Sequence, residues 1–269
     1  MTSDPEYVHG YSERENVRLV DQATTLTHLL HSDTLYPPGC RVLEAGCGVG
    51  AQTVTLARNS PGAAVVSVDI SDVSLRAASA RVAAAGLTNV TFQQGDICRL
   101  HFAAESFDHL FLCFVLEHLA SPSEALARLG PLLRPGGTIT VIEGDHGSAY
   151  FHPDSALARR AIQCLVDLQA RAGGNSLIGR RLYPLLLAAG FRSVRVSPRL
   201  VYVDSSRPEL VEGFTRNTFT AMVRGVRAQV LGAEMMSEVD FDQGVADLDR
   251  TAATDGTFSY TFFKAIAVK

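Results

Sequence analysis

Short apolar runs alternate with helical patterns along the first 150 residues. Apolar side chains recur at helical spacing over about 13–30, and the YPPG segment at 36–39 then breaks the chain. Five β-forming runs follow at 41–45, 63–69, 90–94, 109–114 and 138–143. Because helical patterns separate most of these runs, we expect a mainly parallel sheet with helices on both faces.

The second half of the chain is less regular. Helical patterns at 155–172 and 179–189 are followed by a predicted strand at 194–203, further helices within 208–250 and a last strand at 258–268. The predicted class is α/β, a doubly wound, mainly parallel, seven-stranded sheet with a helical lid. We predict a single domain, 1–269. Its core would comprise about 35–149, 176–206 and 256–269, and its lid about 1–34, 150–175 and 207–255.

Composition narrows the classes of partner. The formal net charge is -4 over 269 residues, which lacks the basic footprint of a nucleic-acid-binding protein. Five cysteines without a CxxC pair argue against a disulfide framework or a zinc site. With no apolar segment at the N-terminus and no apolar run of about 18 residues, we expect a cytoplasmic protein without a membrane span.

The most informative segment, VLEAGCGVG at 42–50, joins the first strand to the first helix. Its GxGxG spacing differs from the GxGxxG of dinucleotide sites. Glu44 precedes the first glycine by two residues, where a carboxylate would repel a pyrophosphate and suit a cationic ligand. Asp69 ends the second strand and could accept both ribose hydroxyls of an adenosine, or merely cap the next helix.

Five stretches, in order along about 41–143, resemble the class I S-adenosylmethionine-dependent methyltransferases. The resemblance is to the small-molecule branch related to the ubiquinone and menaquinone methyltransferases. The stretches are VLEAGCGVG, VVSVDIS, FQQGDI, FDHLFLCFVLEHL and LLRPGGTITVIE. The resemblance implies a Rossmann-like fold, S-adenosylmethionine as cofactor and S-adenosylhomocysteine as product.

The resemblance also implies which residues hold the cofactor. The methionine part would be wrapped by Glu44, Ala45, Gly46, Gly48 and Gly50. The nucleoside would be bound by Asp69 at the ribose, by Ile70 against the adenine, and by Asp96 at the adenine amino group, with Gly95 and Ile97 beside it. Phe114 and Val115 would lie beneath the cofactor. Tyr11, with Tyr7, would belong to an N-terminal segment that closes over it.

Proton handling is assigned to the end of the fifth strand, since ligands of open α/β sheets lie outside the carboxyl ends of the strands. The catalytic candidates are Glu143, His146 and Tyr11. Histidine and carboxylate groups can take up the proton that the methylated molecule loses. The alternative is that Asp145 and His146 cap the next segment while Glu143 pairs with an arginine. We expect no metal site.

The acceptor is predicted from the side chains of the lid. Phenylalanines and methionines there suit a flat, apolar small molecule of secondary metabolism, methylated at carbon or oxygen: an aromatic, indole-like or quinone-like compound. A homodimer is left open. The alternatives are a nicotinamide-dependent oxidoreductase and a non-catalytic cofactor-binding protein.

Overall fold

The computed structural model describes residues 25–269, and the chain divides into two compact units. The sheet unit consists of Thr27–Glu143, Ile178–Arg199 and Phe263–Lys269. The helical unit consists of Gly144–Leu177 and Leu200–Phe262, together with residues 25 and 26. The predicted role of the helical segments as a lid stays a prediction.

The strands of the described residues form one eight-stranded sheet. They are β1 Arg41–Ala45, β2 Ala64–Asp69, β3 Val90–Gln94, β4 Phe107–Cys113, β5 Leu133–Gly144, β6 Tyr150–His152, β7 Arg192–Val203 and β8 Thr257–Val268. The order is β3-β2-β1-β4-β5-β8-β6, and β7 also pairs with β8. The pairs β1–β2, β2–β3, β1–β4 and β4–β5 are parallel, so the carboxyl ends of β1 to β5 share one edge.

Helices connect these strands. In the described part they are α1 Thr53–Asn59, α2 Asp72–Ala84, α3 Pro122–Leu129, α4 Ala156–Arg171, α5 Leu182–Ala188, α6 (208–225), α7 Arg227–Gly232 and α8 Glu238–Arg250. Residues 25–31 are also helical. Within α6, Val211–Thr220 is a π-helix between two short α-helical turns. No helix of residues 25–269 is apolar over a length that would cross a bilayer.

Local sequence explains the elements around the first three strands. Val42 and Leu43 of β1 are fully buried, as expected for a strand covered on both faces. The Ser71 hydroxyl accepts the Ser74 N–H and so caps α2. Gly86 follows α2 with a φ of +68°, a conformation that ends a helix at little cost only for glycine.

The helical unit has its own aromatic core. Its large buried rings include Phe214, Phe219, Phe258, Tyr260 and Phe262. Helices α4 and α8 approach closely at Gly244, where an added Cβ would lie 2.6 Å from the carbonyl oxygen of Leu157. A side chain at this position would therefore separate the two helices.

The predicted α/β class and the mainly parallel sheet are confirmed, but the sheet has one strand more than the predicted seven. The additional strand, β6, lies in a stretch predicted to belong to a helical lid. It is antiparallel to β8, and its three residues pair with Thr257–Ser259. A three-residue strand has no periodicity of its own, so only its distant partner defines it.

Candidate functional site

The glycine-rich turn after β1 adopts backbone conformations that favour glycine. Gly46, Gly48 and Gly50 have φ angles of +81°, +51° and +75°. The N–H groups of Gly46 and Cys47 donate to the carbonyl oxygen of Val68 at 2.8 and 2.9 Å, which ties the turn to β2. Gly46 and Gly48 are partly exposed and carry no side chain, so a ligand at the carboxyl edge of the sheet could approach their main-chain atoms.

Gly50 has a second constraint, because α2 packs directly against it. An added Cβ would lie 2.8 Å from both Cα and Cβ of Ala78, and these atoms cannot move without moving α2. We expect Gly50→Ala to lower the free energy of unfolding by about 3 kcal/mol, measured by urea denaturation.

Gly136→Ala is the matched control for this prediction. Gly136 has a φ of +78°, but no atom lies within 4 Å of its added Cβ. Gly136→Ala should lower the free energy of unfolding by only about 1 kcal/mol, the cost of placing an alanine in a left-handed conformation. Equal losses in the two variants would contradict the packing argument.

Asp69, at the end of β2, holds the glycine turn. Its Oδ2 accepts the Gly48 N–H at 2.7 Å, and its Oδ1 accepts the Ser71 N–H at 2.9 Å. Each carboxylate oxygen has more than one acceptor position, so both can accept a further hydroxyl. The geometry is compatible with a ribose bound at Asp69, and the helix-capping function that the sequence left open for Asp69 is taken by Ser71.

Glu44 is buried behind the turn. Its Oε2 accepts the Ser67 hydroxyl at 2.6 Å and the Thr53 hydroxyl at 2.8 Å. Burial, with a smaller contribution from the negative charge of Asp69, raises the pKa of Glu44 to about 7. The same two carboxylates, after burial, raise the pKa of the Cys47 thiol. A cationic group near the turn would relieve this clustering of negative charge.

The predicted nucleoside-binding residues lie at the ends of β2 and β3. The Gly95 N–H donates to the Asp69 carbonyl oxygen at 3.0 Å, which joins the two loops. Asp96 Oδ1 accepts the Cys98 N–H at 2.8 Å. Ile70 is 42% exposed, so a flat ring could cover it, whereas Ile97 is buried.

The segment after β4 packs onto the turn. Phe114 has a φ of +58°, a strained conformation for a residue with a bulky side chain and one that is concentrated at functional sites. Val115 fills the space beside Gly46, where an added Cβ would lie 2.7 Å from Val115 Cγ2. Both residues therefore lie at the same carboxyl edge as the glycine turn, and their place beneath a cofactor stays a prediction.

Glu143 lies fully buried at the end of β5 and holds the segment after β4. Its Oε1 accepts the backbone N–H groups of Val115 and Leu116 at 3.0 and 2.7 Å. Within residues 25–269, its Oε2 has no hydrogen-bond partner. Burial and the nearby Glu117 carboxylate raise the pKa of Glu143 well above its ordinary value. The arginine pairing considered as an alternative is replaced by these backbone contacts.

Two variants of Glu143 separate a structural from a proton-accepting role. Glu143→Gln retains an oxygen for both N–H groups, so we expect thermal stability and cofactor binding close to those of the original protein. Glu143→Ala leaves two buried N–H groups without an acceptor and should lower the free energy of unfolding by about 3 kcal/mol. Both values can be measured by denaturation. A folded Gln variant without turnover would support proton transfer by Glu143.

Asp145 and His146 belong to the helical unit. The Asp145 carboxylate accepts the Gly147 N–H at 3.0 Å, so its predicted capping role is confirmed. His146 is buried, and its Nδ1 lies 2.8 Å from the hydroxyl of Tyr260. Tyr11 and Tyr7 lie outside the described residues.

Sequence reasoning missed the partners of the site residues. Ser67 and Thr53, which bind Glu44, and Tyr260, which binds His146, were not singled out. A serine inside the otherwise apolar β2 was a usable signal for Ser67. Tyr260 gave none, because 114 residues separate it from His146.

Comparison with known proteins agrees with this geometry. Residues 42–137 match the family described as "Methyltransferase domain". A Streptomyces fradiae protein, the uncharacterized 37.1 kDa protein in transposon TN4556, is 35% identical over 191 residues, which are 70% of this chain and 54% of that protein. The chain thus spans about half of this relative.

Two further proteins are similar over most of the chain. Trans-aconitate 2-methyltransferase of Deinococcus radiodurans is 27% identical over 97% of this chain and 87% of its own length. The fold resembles Haemonchus contortus phosphoethanolamine N-methyltransferase 2 in complex with S-adenosyl-L-methionine. Its TM-score is 0.55 and its identity 19%, over 93% of this chain and 52% of that one. Residues 42–137 therefore match a methyltransferase domain, the chain is similar in sequence to methyltransferases, and it shares the fold of a methyltransferase that binds S-adenosyl-L-methionine.

Proposed function

We propose that the chain binds S-adenosylmethionine at the β1 turn and transfers its methyl group to a small-molecule acceptor. The observation that carries the proposal is the turn itself: left-handed glycines stand between the buried Glu44 and the turn-binding Asp69. Two carboxylates beside accessible main-chain atoms favour a ligand that is cationic at one part and carries a ribose at another.

Each cofactor part has proposed partners in the sheet unit. The methionine part is assigned to Glu44, Ala45, Gly46, Gly48 and Gly50. The nucleoside is assigned to Asp69, Ile70, Gly95, Asp96 and Ile97, and the lower surface to Phe114 and Val115. Tyr11 is proposed to close the site. Support comes from the exposed Ile70 and the free acceptor positions on Asp69.

The sulfonium supplies an activated methyl group, so the chain has to align the acceptor and exclude water. When the acceptor loses a proton, a nearby base is needed. We assign this role to His146, with Tyr11 as a second candidate. The contacts of Glu143 favour support of the segment after β4, and its proton-accepting role stays a prediction for the Gln variant to test.

For the acceptor, we propose an aromatic, indole-like or quinone-like metabolite methylated at carbon or oxygen. This acceptor class is proposed from the phenylalanine- and methionine-rich composition of the lid segment, whose phenylalanines are packed in the core of the helical unit. The relative that acts on trans-aconitate favours a second candidate, a carboxylate that is methylated on oxygen. The net charge of -4 favours a small molecule over nucleic acid, and we place the reaction in the cytoplasm.

Titration calorimetry tests the cofactor assignment directly. We expect S-adenosylmethionine and S-adenosylhomocysteine to bind, and NAD to give no heat. Binding of NAD alone would favour the oxidoreductase alternative. Mass spectrometry of phenols, indoles, quinones and trans-aconitate incubated with protein and cofactor would then identify the acceptor by one added methyl group. Cofactor binding without any methylated product in this set would favour the non-catalytic alternative.

A further inference from the structure

A buried imidazole of the sheet unit contacts a side chain that follows the glycine turn. His31 is 1% exposed, and its Nε2 lies 2.8 Å from Oε1 of Gln52. Gln52 comes two residues after Gly50, the last glycine of the turn, and is partly exposed. The imidazole therefore reaches the edge of the proposed cofactor site from the interior of the protein.

The contact with Gln52 determines which nitrogen of the imidazole carries the proton. An amide oxygen only accepts hydrogen bonds, so Nε2 of His31 is the donor. The other ring nitrogen, Nδ1, lies 3.4 Å from the Thr34 hydroxyl oxygen and accepts its proton in a hydrogen bond. Burial lowers the pKa of His31 from its ordinary value of 6.5 to about 4, so the ring is neutral near pH 7.

A buried ammonium group supports the same arrangement of protons. Lys264 is 2% exposed, and its Nζ donates to the Thr34 hydroxyl oxygen at 2.6 Å. It also donates to the Asp33 carboxylate at 2.6 Å and to the Leu30 carbonyl oxygen at 3.1 Å. An ammonium group has three N–H donors and no acceptor, so all three are used. Because the Thr34 oxygen accepts from Lys264, its own proton is available to His31 Nδ1.

The hydrogen bond from His31 orients the Gln52 amide. With Oε1 held by the imidazole, the two N–H donors of Nε2 lie on the other side of the amide. The Gln52 side chain makes no capping hydrogen bond to the helix that begins at Thr53. Gln52 therefore presents donors, and not its oxygen, on the side away from the buried ring.

A neutral donor at this position complements the charges of the turn. The carboxylates of Glu44 and Asp69 favour the cationic sulfonium and ammonium groups of the proposed cofactor. The same two carboxylates repel the carboxylate of its amino acid part. An amide N–H can bind this carboxylate without repelling the cationic groups, whereas an arginine or lysine would repel them.

We propose that Gln52 is a specificity-determining residue that donates from Nε2 to the carboxylate of S-adenosylmethionine, and that His31 is the positioning residue that orients its amide. The inference rests on the proposed function. The two residues act in binding and take part in no bond-making step. They favour ligands with a complete amino acid part over ligands that lack the carboxylate, because a fixed donor loses less conformational freedom on binding.

Titration calorimetry with two ligands tests the role of Gln52. Decarboxylated S-adenosylmethionine keeps the sulfonium, the ammonium and the nucleoside, and lacks only the carboxylate. We expect Gln52→Ala to weaken S-adenosylmethionine binding about 10- to 100-fold, as for one hydrogen bond to a charged group, and to leave the decarboxylated ligand within about twofold. Gln93→Ala removes an exposed glutamine of the same unit and should change neither affinity. Equal losses for both ligands in Gln52→Ala, or no loss for S-adenosylmethionine, would overturn the proposal.

His31→Phe tests the positioning role, because it keeps a flat ring and removes both nitrogens. We expect the ratio of the two affinities to fall about fivefold in favour of the decarboxylated ligand, since the amide is no longer held in one orientation. His28→Phe, at an exposed position of the same helix, should leave the ratio unchanged. A His31→Phe variant that weakens both ligands equally would contradict the positioning role.

Nitrogen-15 NMR of histidine-labelled protein tests the arrangement without any ligand, and it applies even if His31→Phe does not fold. We expect one neutral tautomer of His31, protonated on Nε2, from pH 5.5 to 8. Gln52→Ala removes the acceptor of this proton and should shift the signals of the ring, which assigns them. A ring that is protonated on Nδ1, or charged at pH 5.5, would overturn the positioning role. Failure of wild type to bind either ligand would instead contradict the proposed function, while the tautomer measurement stays interpretable.

Discussion

Replacement of Asp69 with alanine is expected to weaken S-adenosylmethionine binding by about 100- to 10,000-fold. The proposed ribose contacts are two hydrogen bonds to a charged carboxylate, each worth about 1.5–3 kcal/mol. The substitution also removes the acceptor of the Gly48 N–H, so the glycine turn loses one of its restraints. Titration calorimetry with the 269-residue chain measures the loss.

A second ligand and a matched variant identify the cause of the weaker binding in Asp69→Ala. 5′-Methylthioadenosine has the ribose but lacks the amino acid part, so Asp69→Ala should weaken its binding by a similar factor. Ser71→Ala removes the nearby cap of α2 without touching the carboxylate, and should cost about 1 kcal/mol of stability with little change in binding. Equal binding losses in Asp69→Ala and Ser71→Ala would show that the effect comes from a distorted loop.

Glu44→Gln is expected to raise stability and lower cofactor affinity at the same time. The pKa of Glu44 is about 7 in the folded protein, against an ordinary value of 4.5. The proton on this carboxyl therefore stabilises the fold fully below about pH 4.5, and this contribution is lost as the pH rises through 7. Since Gln does not ionise, the variant should be more stable than wild type at pH 8, by about 3 kcal/mol.

The affinity for a cationic ligand should rise with pH, whereas the stability contributed by Glu44 falls. Ionised Glu44 attracts a cationic ligand, so wild-type affinity for S-adenosylmethionine should rise as the pH increases from 5.5 through about 7. The Gln variant should show a weaker and flatter dependence. Binding of 5′-methylthioadenosine, which lacks both the sulfonium and the ammonium, should be nearly unaffected by the substitution.

Denaturation from pH 5.5 to 8 checks the predicted stability of Glu44→Gln, and calorimetry over the same range checks its predicted affinity for S-adenosylmethionine. A variant that loses stability at pH 8 would contradict the raised pKa, because it would show that the ionised carboxylate is favourable in the fold. A variant with unchanged affinity and the original pH dependence would instead contradict the electrostatic role of Glu44 in cofactor binding. The two results are independent of each other.

The sequence by itself determined the sheet unit in most of its detail. Strand β1, the glycine turn, the Ser71 cap and the acid that ends β2 all depend on residues close together in the chain. Left-handed turns require glycine, caps require short polar side chains, and buried parallel strands require apolar runs. These are local requirements, and a local pattern is enough to predict them.

Only the tertiary structure decided which distant groups meet. It placed Glu143 under the N–H groups of the segment after β4, although an arginine partner or a proton-accepting role was equally compatible with the sequence. It also brought Tyr260 to His146 and made a strand of residues 150–152. Such contacts join side chains more than 25 residues apart, and their energy comes from burial and pairing that no local pattern of residues encodes.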